Sequence, residues 1–274
     1  MPRMRMAAGV LALVTATMAA GLAACGGAGG DDAAGGPGTA SGTASPTTTT
    51  TSAAASPTPR ATDANGFPLP ERPACAAESG GEFVRATTSE GNSVGILVLG
   101  EGASGVVLGP QDGGDICMML AYGEELATRY RVALYDWKEP RSEVPVLAVK
   151  ALRDAGADRV VLAGASYGGA LAMSEAHRVR PRLAGVLSLG GELRLPGEDF
   201  RPGIRRWRGP LLEISSKQDA YFDSADARRL HALHPGPETV LMLPGSLHGV
   251  DLLEGPQQER VRATVDEFLD RVLG

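Results

Sequence analysis

The chain has 274 residues, of which 43% are hydrophobic and 21% charged, so it can form one globular domain with a real core plus an appendage. Its formal net charge at pH 7 is −6, and without Arg3 and Arg5 of the N-terminal leader 24 basic residues would face 32 acidic ones. Because phosphate binding requires a concentrated basic surface, this excess of acidic residues argues against nucleic acid as a partner. The arginines at residues 201–208 form only a short cluster, typical of a solvent-exposed loop.

The N-terminus has the pattern of an export signal, with basic residues followed by an apolar run over residues 7–22. Residues 22–25 read Leu-Ala-Ala-Cys, which resembles the lipobox of bacterial lipoproteins. In that class the leader is cleaved before the cysteine, and the cysteine then carries lipid. An uncleaved anchor is disfavoured, because the run is short and rich in Ala, Gly and Thr. We therefore predict a lipoprotein signal peptide over residues 1–24, palmitate-type lipid on Cys25, and anchoring to the outer face of the bacterial cell membrane.

Residues 25–66 are mostly Gly, Ala, Thr, Ser and Pro, with almost no large apolar side chain. Such a segment buries too little surface to fold, so we predict a disordered, lipid-anchored linker that holds a domain away from the membrane. A glycosylated stalk is an alternative that the composition leaves open. The folded domain is predicted to span residues 67–274.

Within that domain, apolar runs alternate with helix-like segments. The predicted strands are 83–88, 93–99, 105–108, 130–135, 160–163, 183–189, 210–215 and 239–243, and the predicted helices are 116–129, 144–155, 167–180, 225–234 and 257–273. This order predicts the α/β class: a mostly parallel sheet with an N-terminal antiparallel hairpin and helices on both faces.

Residues 100–105 formally spell Gly-x-Gly-x-x-Gly, the pattern of a dinucleotide-binding loop. That interpretation requires a helix to begin there, whereas residues 106–108 continue as a strand. We therefore predict a hairpin turn at this point and expect no cofactor.

A strand that ends in Gly164-Ala165-Ser166-Tyr167-Gly168 leads into a helix-like segment. Gly-x-Ser-x-Gly between strand and helix is typical of a nucleophile elbow, in which small flanking residues allow a sharp turn and expose the serine. The alternative is a glycine-rich loop with an incidental serine. The motif alone does not decide between them.

Two polar residues follow later strands: Asp219 after residues 210–215 and His248 after residues 239–243. Together with Ser166 they give the chain order Ser, Asp, His, and the chain resembles α/β-hydrolase-fold serine hydrolases of the esterase and lipase type over residues 83–273. The resemblance implies a catalytic triad, in which His248 takes the proton of Ser166 and Asp219 orients the imidazole. Asp223 and Glu192 are substitutes for the acid. The remaining histidines, His177, His231 and His234, lie in helical segments and are expected to face solvent.

The same resemblance implies backbone N–H donors for a developing oxyanion. Tyr167, which follows the nucleophile, is expected to supply one. The family often has His-Gly in the loop that supplies the second, whereas this chain has Pro110-Gln111-Asp112. Because Pro110 has no N–H, Gln111 or Asp112 is the expected donor, with the carboxylate of Asp112 pointing away.

If Cys25 carries lipid, Cys75 and Cys117 remain, and an exported protein can join them in a disulfide. A buried free thiol at Cys117 is the alternative. No His, Cys and carboxylate cluster has metal-ligand spacing, so no metal is expected.

The connection over residues 190–209 is too short for a helical cap, which predicts a minimal lid and an open, solvent-facing site. Leu193, Leu195, Phe200, Ile204 and Trp207 either line its edge or pack the connection down. The predicted function is hydrolysis of a small-molecule or lipid carboxylic ester through an acyl-enzyme on Ser166. A thioesterase, amidase or peptidase, or an inactive hydrolase-fold binding lipoprotein, is the alternative. The sequence does not indicate an oligomeric state.

Overall fold

A computed structural model describes residues 60–274 of the chain. The predicted signal peptide, Cys25 and the predicted linker up to residue 59 lie outside the described residues. The strands are β1 (Glu82–Thr87), β2 (Ser93–Leu99), β3 (Ser104–Gly109), β4 (Arg131–Tyr135), β5 (Arg159–Ala165), β6 (Gly185–Leu189), β7 (Arg194–Leu195), β8 (Glu198–Asp199), β9 (Leu211–Ser216) and β10 (Glu238–Leu243). The α-helices are α1 (Ile116–Ala127), α2 (Val144–Asp154), α3 (Tyr167–Glu175), α4 (Arg201–Ile204), α5 (Ser224–Leu233) and α6 (Gln258–Leu273).

Eight of these strands form one sheet in the order β1-β2-β4-β3-β5-β6-β9-β10. β1 pairs with β2, and β2 with β4, in antiparallel fashion, while every pairing from β4 to β10 is parallel. The predicted α/β class with an N-terminal antiparallel hairpin is confirmed. Because the carboxyl ends of parallel strands meet at one edge, the loops after β3, β5, β6, β9 and β10 can share a site there.

The predicted hairpin turn at residues 100–105 is wrong. β4 lies between β2 and β3, so the turn links two strands that do not pair with each other. Residues 104–109 continue as a strand, and no helix begins at these glycines. The order of strands in the sheet is decided by pairing between residues that are distant in sequence. The residues of the turn therefore do not indicate that β4 lies between β2 and β3.

The sheet is covered on both faces, which explains why its central strands are apolar at successive positions. Every residue of β2 is buried, as is every residue of β5 after Arg159. One apolar layer contains the buried sides of α1 and α6, and the other contains those of α2 and α3. In α2, for example, Val144, Ala148 and Leu152 recur at the four-residue spacing that places side chains on one helix face, and all three are buried.

A disulfide joins Cys75 to Cys117 in the first turn of α1, with the two Cα atoms 5.8 Å apart. The predicted disulfide is therefore present, and the alternative of a free Cys117 thiol is wrong. Residues before Phe67 also contact the domain: the Asp63 carboxylate accepts the N–H of Ser93 at 3.2 Å, and Asn65 donates to the carbonyl of Glu90 at 2.8 Å. Among residues 60–274 no helix is long and apolar enough to cross a membrane.

Candidate active site

Ser166 lies at the junction of β5 and α3 in a backbone conformation that is rare for a residue with a side chain. Its φ is 51° and its ψ is −122°, and no other non-glycine residue of the described chain has a positive φ. Such a conformation costs about 1–3 kcal/mol and persists only where neighbouring contacts hold it. Here the Ser166 N–H donates to the carbonyl of Leu189 in β6 at 2.8 Å. The sharp turn expected of a nucleophile elbow is therefore present at the predicted serine.

The two glycines that flank the turn are required by space. A Cβ on Gly164 would lie 2.3 Å from the carbonyl carbon of Gly168, which is closer than real Cβ contacts. A Cβ on Gly168 would lie 2.6 Å from the carbonyl oxygens of both Gly109 and Pro110. Glycine at these positions thus allows the elbow to close on itself and lets the loop after β3 pass directly against it.

Asp219 and His248 are in direct contact. Oδ2 of Asp219 lies 2.8 Å from Nδ1 of His248, and Asp219 is only 3% exposed. The other carboxylate oxygen accepts the N–H groups of Tyr221 at 2.8 Å and Phe222 at 3.3 Å. Burial raises the pKa of Asp219, but the hydrogen bonds from His248 and from these backbone groups outweigh it, so the net pKa lies below the ordinary value. Asp219 is accordingly an ionised acceptor that fixes the orientation of the His248 ring.

Gly190 explains how the loop after β6 can approach this pair. Its φ is +65°, and a Cβ there would lie 3.0 Å from Nδ1 of His248 and 3.3 Å from Oδ2 of Asp219. A side chain would therefore crowd the hydrogen bond between them. The Gly190 N–H donates to the Ile214 carbonyl and lies 3.0 Å from Oε1 of Glu213, a fully buried residue of β9.

The Ser166 hydroxyl donates to Oε1 of Glu192 at 3.0 Å rather than to His248. The same Glu192 oxygen lies 3.8 Å from Nε2 of His248, and that nitrogen has no hydrogen-bond partner in the described chain. Glu192 is 3% exposed, and its burial raises its pKa, an effect that the bond from Ser166 and the nearby His248 only partly offset. Glu192, which the sequence offers as a substitute partner of His248, therefore binds the serine and lies near the histidine.

The expected solvent-facing serine is not observed, since Ser166 is only 7% exposed. The segment from Gly190 to Glu192 packs against the elbow: a Cβ on Gly191 would meet the Ala170 nitrogen at 2.7 Å. The histidine is more accessible, with 19% of its side chain exposed, and the exposed ring of Tyr221 lies against it at a centroid distance of 4.7 Å. The exposed part of the site is therefore formed by His248 and Tyr221.

The connection over residues 190–209 consists of the short β7–β8 hairpin and the single-turn helix α4. Four of its five large apolar side chains pack the connection down: Leu193, Phe200, Ile204 and Trp207 are buried. Leu195 and the largely buried Leu193 line a cleft of about 540 Å³ that also includes Arg194, Arg229 and Tyr221. Tyr221 lines this cleft and also contacts His248, so this one side chain connects the cleft with the site.

The backbone N–H groups proposed for the oxyanion remain available. Those of Tyr167, Gln111 and Asp112 donate no hydrogen bond within residues 60–274. The Trp137 indole N–H donates to the Gln111 carbonyl at 2.9 Å, so this aromatic side chain holds the loop after β3. The Asp112 carboxylate pairs with Arg141 at the surface.

The other sequence candidates lie elsewhere. Asp223 is the N-cap of α5, where its carboxylate accepts the N–H groups of Ala225 at 2.6 Å and Asp226 at 3.0 Å. His231 is exposed as expected, but the expectation for His234 is wrong. Its side chain is fully buried, because this end of α5 lies against Gly209 and Glu238. The burial lowers the pKa of His234. Over residues 60–274, no three His, Cys, Asp or Glu side chains are grouped as a metal site would require.

No protein-family model and no curated protein sequence matches this chain. Solved structures do match. An esterase from Pyrococcus furiosus aligns with a TM-score of 0.63 at 14% identity, over 79% of this chain and 97% of the esterase. A dienelactone hydrolase from Anabaena variabilis aligns at 0.57 and 18% identity, over 71% and 99% of the two chains. An esterase from Thermogutta terrifontis aligns at 0.54 and 19% identity, over 70% and 100%. Together with the sheet order and the elbow, these likenesses show that the chain has the α/β-hydrolase fold.

Proposed function

We propose that the protein is a serine hydrolase that cleaves carboxylic esters through an acyl-enzyme on Ser166. The observation that carries the proposal is the Asp219–His248 hydrogen bond, together with a serine at positive φ. The serine hydroxyl contacts the same Glu192 oxygen that lies 3.8 Å from His248. A serine hydroxyl is a weak nucleophile until an imidazole takes its proton, and the third group of a triad holds that imidazole in the right tautomer. The structural likeness to esterases agrees with this chemistry.

In the proposed reaction, Oγ of Ser166 attacks the ester carbonyl carbon while its proton passes to Nε2 of His248. The backbone N–H groups of Tyr167 and of Gln111 or Asp112 stabilise the oxyanion of the tetrahedral intermediate. The alcohol leaves with the proton from His248, and Ser166 remains acylated. Water, deprotonated by the same nitrogen, then releases the carboxylic acid and restores the serine.

The cleft beside Tyr221 is the proposed place of the substrate. Its lining combines Leu193 and Leu195 with the guanidinium groups of Arg194 and Arg229. A mixed lining of this kind suits a small or polar ester better than a long acyl chain, which would need a continuous apolar tunnel.

The direct test is labelling of the purified protein with a fluorophosphonate probe, together with hydrolysis of short-chain nitrophenyl esters. We expect the wild type to react and Ser166→Ala to lose both activities. Ser79→Ala is a matched control, since that hydroxyl binds Glu124 at 2.6 Å and lies apart from the site. Full esterase activity in Ser166→Ala would overturn the proposal.

The triad does not choose the leaving group, so a thioesterase, amidase or peptidase of the same fold remains the alternative activity. A panel of ester, thioester and anilide substrates with a common acyl group separates these activities by their kcat/KM values. The proposal expects the ester to be preferred.

A second candidate function, a non-catalytic binding lipoprotein, is favoured by one observation: the Ser166 hydroxyl binds Glu192 instead of His248. In an inactive scaffold that arrangement would be permanent. Complete absence of fluorophosphonate labelling in folded protein would support this function over the enzyme.

We also propose that the protein is exported and anchored by lipid on Cys25, on the grounds of the Leu-Ala-Ala-Cys sequence that follows the apolar leader. Metabolic labelling with a palmitate analogue in a bacterial host tests this. The wild type should be labelled and recovered with the membranes, and Cys25→Ala should be unlabelled.

A further inference from the structure

One carboxyl oxygen contacts the proposed nucleophile and also lies near the proposed base. Oε1 of Glu192 accepts the Ser166 hydroxyl at 3.0 Å and lies 3.8 Å from Nε2 of His248. That nitrogen is buried and has no hydrogen-bond partner within residues 60–274, and neither has Oε2 of Glu192. A buried polar atom without a partner is rare in folded proteins. Here both unpartnered atoms belong to the two side chains around Oε1 of Glu192, the atom that accepts the only hydroxyl proton of Ser166.

We propose that Glu192 is a positioning residue that withholds the Ser166 hydroxyl from His248 until substrate binds. The inference rests on the proposed function. In the resting enzyme the hydroxyl donates to Glu192. In the productive arrangement it turns about the Cα–Cβ bond of Ser166 and donates to Nε2 of His248, whose lone pair is already free to accept it.

The fold holds the backbone that carries Glu192 close to the elbow. Gly190 at φ +65° and the close packing of Gly191 on α3 bring Glu192 against the elbow. The Gly190 N–H is shared between the Ile214 carbonyl at 2.8 Å and the buried carboxyl of Glu213 at 3.0 Å. The resting arrangement is therefore built into the connection that follows β6.

The strength of the hold depends on the charge of Glu192. Burial raises the pKa of Glu192, so the carboxyl is neutral at low pH and ionises as the pH rises through that raised value. A hydrogen bond to an ionised acceptor is roughly twice as strong as one to a neutral acceptor. The charged and titratable groups around it are His248 from the loop after β10, Asp219 from the loop after β9 and Glu213 from β9 itself. We expect the hydroxyl to be withheld more strongly at high pH.

The experiment compares fluorophosphonate labelling rates of the wild type and Glu192→Gln from about pH 5 to about pH 9. Glutamine keeps the size and an acceptor oxygen but cannot ionise. The two proteins should label at similar rates at the acidic end, and Glu192→Gln should label about fivefold faster at the alkaline end, from about 1 kcal/mol of lost charge assistance. Glu198→Gln removes a carboxylate from the same connection that contacts the Tyr167 hydroxyl and not Ser166, and its ratio to the wild type should not change with pH.

A rate ratio of Glu192→Gln to wild type that is independent of pH, or that falls with pH, would overturn the positioning role while leaving the serine hydrolase intact. No labelling of either protein at any pH, with normal thermal unfolding, would instead overturn the proposed function and this inference with it. If Glu192→Gln does not fold, Glu192→Asp provides the test. It keeps the charge but withdraws the oxygen from Ser166, and it should label faster than the wild type at every pH. An equal or slower rate contradicts the proposal.

Discussion

The side chain of Gln111 is hydrogen-bonded to the backbone of Val250: its Oε1 accepts the Val250 N–H at 2.9 Å. This bond ties the loop after β3, which offers the proposed oxyanion donors, to the loop that carries His248. Gly249 allows it, because a Cβ there would overlap Oε1 of Gln111. Two loops separated by 139 residues of sequence thus share one hydrogen bond.

We expect Gln111→Ala to lower kcat/KM for esters by about tenfold, because both loops lose their shared contact and about 1 kcal/mol of stability. Ester kinetics and urea unfolding measure the two effects. Gln257→Ala removes an amide that donates to the Pro244 carbonyl at 3.2 Å and should leave kcat/KM unchanged. Equal activity of the wild type and Gln111→Ala would show that this bond does not position the donors.

Asp219→Asn should lower kcat by about a thousandfold or more, because an amide in place of the carboxylate favours the wrong imidazole tautomer and does not stabilise the imidazolium. Stability should change little by comparison. Asp223→Ala is the contrasting variant: it removes the N-cap of α5 and should lower the free energy of unfolding by about 1 kcal/mol with kcat retained. The reverse pattern, with activity lost only in Asp223→Ala, would show that Asp223 and not Asp219 is the acid of the triad.

Glu213 should make stability depend on pH. Burial raises its pKa well above 4.5, the ordinary value for an unfolded chain. The stability it contributes is therefore fully present below about pH 4.5 and is lost as the pH rises toward the folded-state pKa, by up to about 1.4 kcal/mol per pH unit. Glu213→Gln keeps the acceptor for Gly190 and should flatten that part of the profile measured by chemical denaturation. Identical profiles for the two proteins would mean that Glu213 is ionised in the folded state.

Gly168→Ala should abolish ester hydrolysis and lower the free energy of unfolding by about 2 kcal/mol or more, because its Cβ would lie 2.6 Å from two backbone carbonyl oxygens. Gly80→Ala, which meets nothing within 4 Å, is the control and should be neutral. Thermal unfolding and ester kinetics are the measurements. A stable, active Gly168→Ala would mean that the loop after β3 can move away from the elbow.

Loss of the disulfide, in Cys75→Ala combined with Cys117→Ala, should lower the free energy of unfolding by about 4 kcal/mol, the chain-entropy value for a sequence separation of 42 residues. Reduction of the wild type should produce a comparable shift in the denaturant midpoint. An unaffected midpoint under reducing conditions would indicate that the bridge adds nothing to folding.

Much of the fold was predictable, because each element has a local signal. The apolar runs that became β5 and β9, and the four-residue spacing in α2, depend only on neighbouring residues. The place of β4 between β2 and β3 was not predictable in this way, because strand order is set by contacts distant in sequence. The burial of His234 was missed for the same reason, since a helix end gives no sign of what packs over it.

Of the candidate site, the order of Ser166, Asp219 and His248 led to the pair of Asp219 and His248 that the structure contains. The contact of Ser166 with Glu192 had a weaker signal. Glu192 follows β6 at the edge of the sheet where the carboxyl ends of the parallel strands meet, and this position makes it a candidate for the acid. The contact of Glu192 with Ser166 depends on the positive φ of Gly190 and on the hydrogen bond from the Gly190 N–H to Glu213. Both are properties of the folded chain.

The bridge between Cys75 and Cys117 has a mechanical consequence. Cys75 precedes β1, whereas Cys117 lies in the first turn of α1, which follows β3 in the sequence. A pulling force that enters through the residues before Cys75 reaches α1 through a covalent bond and bypasses the hydrogen bonds of the β1–β2 edge. A force applied at the N-terminal side of the domain is therefore carried by α1, and the edge strand β1 is not the first element to be pulled out of the sheet.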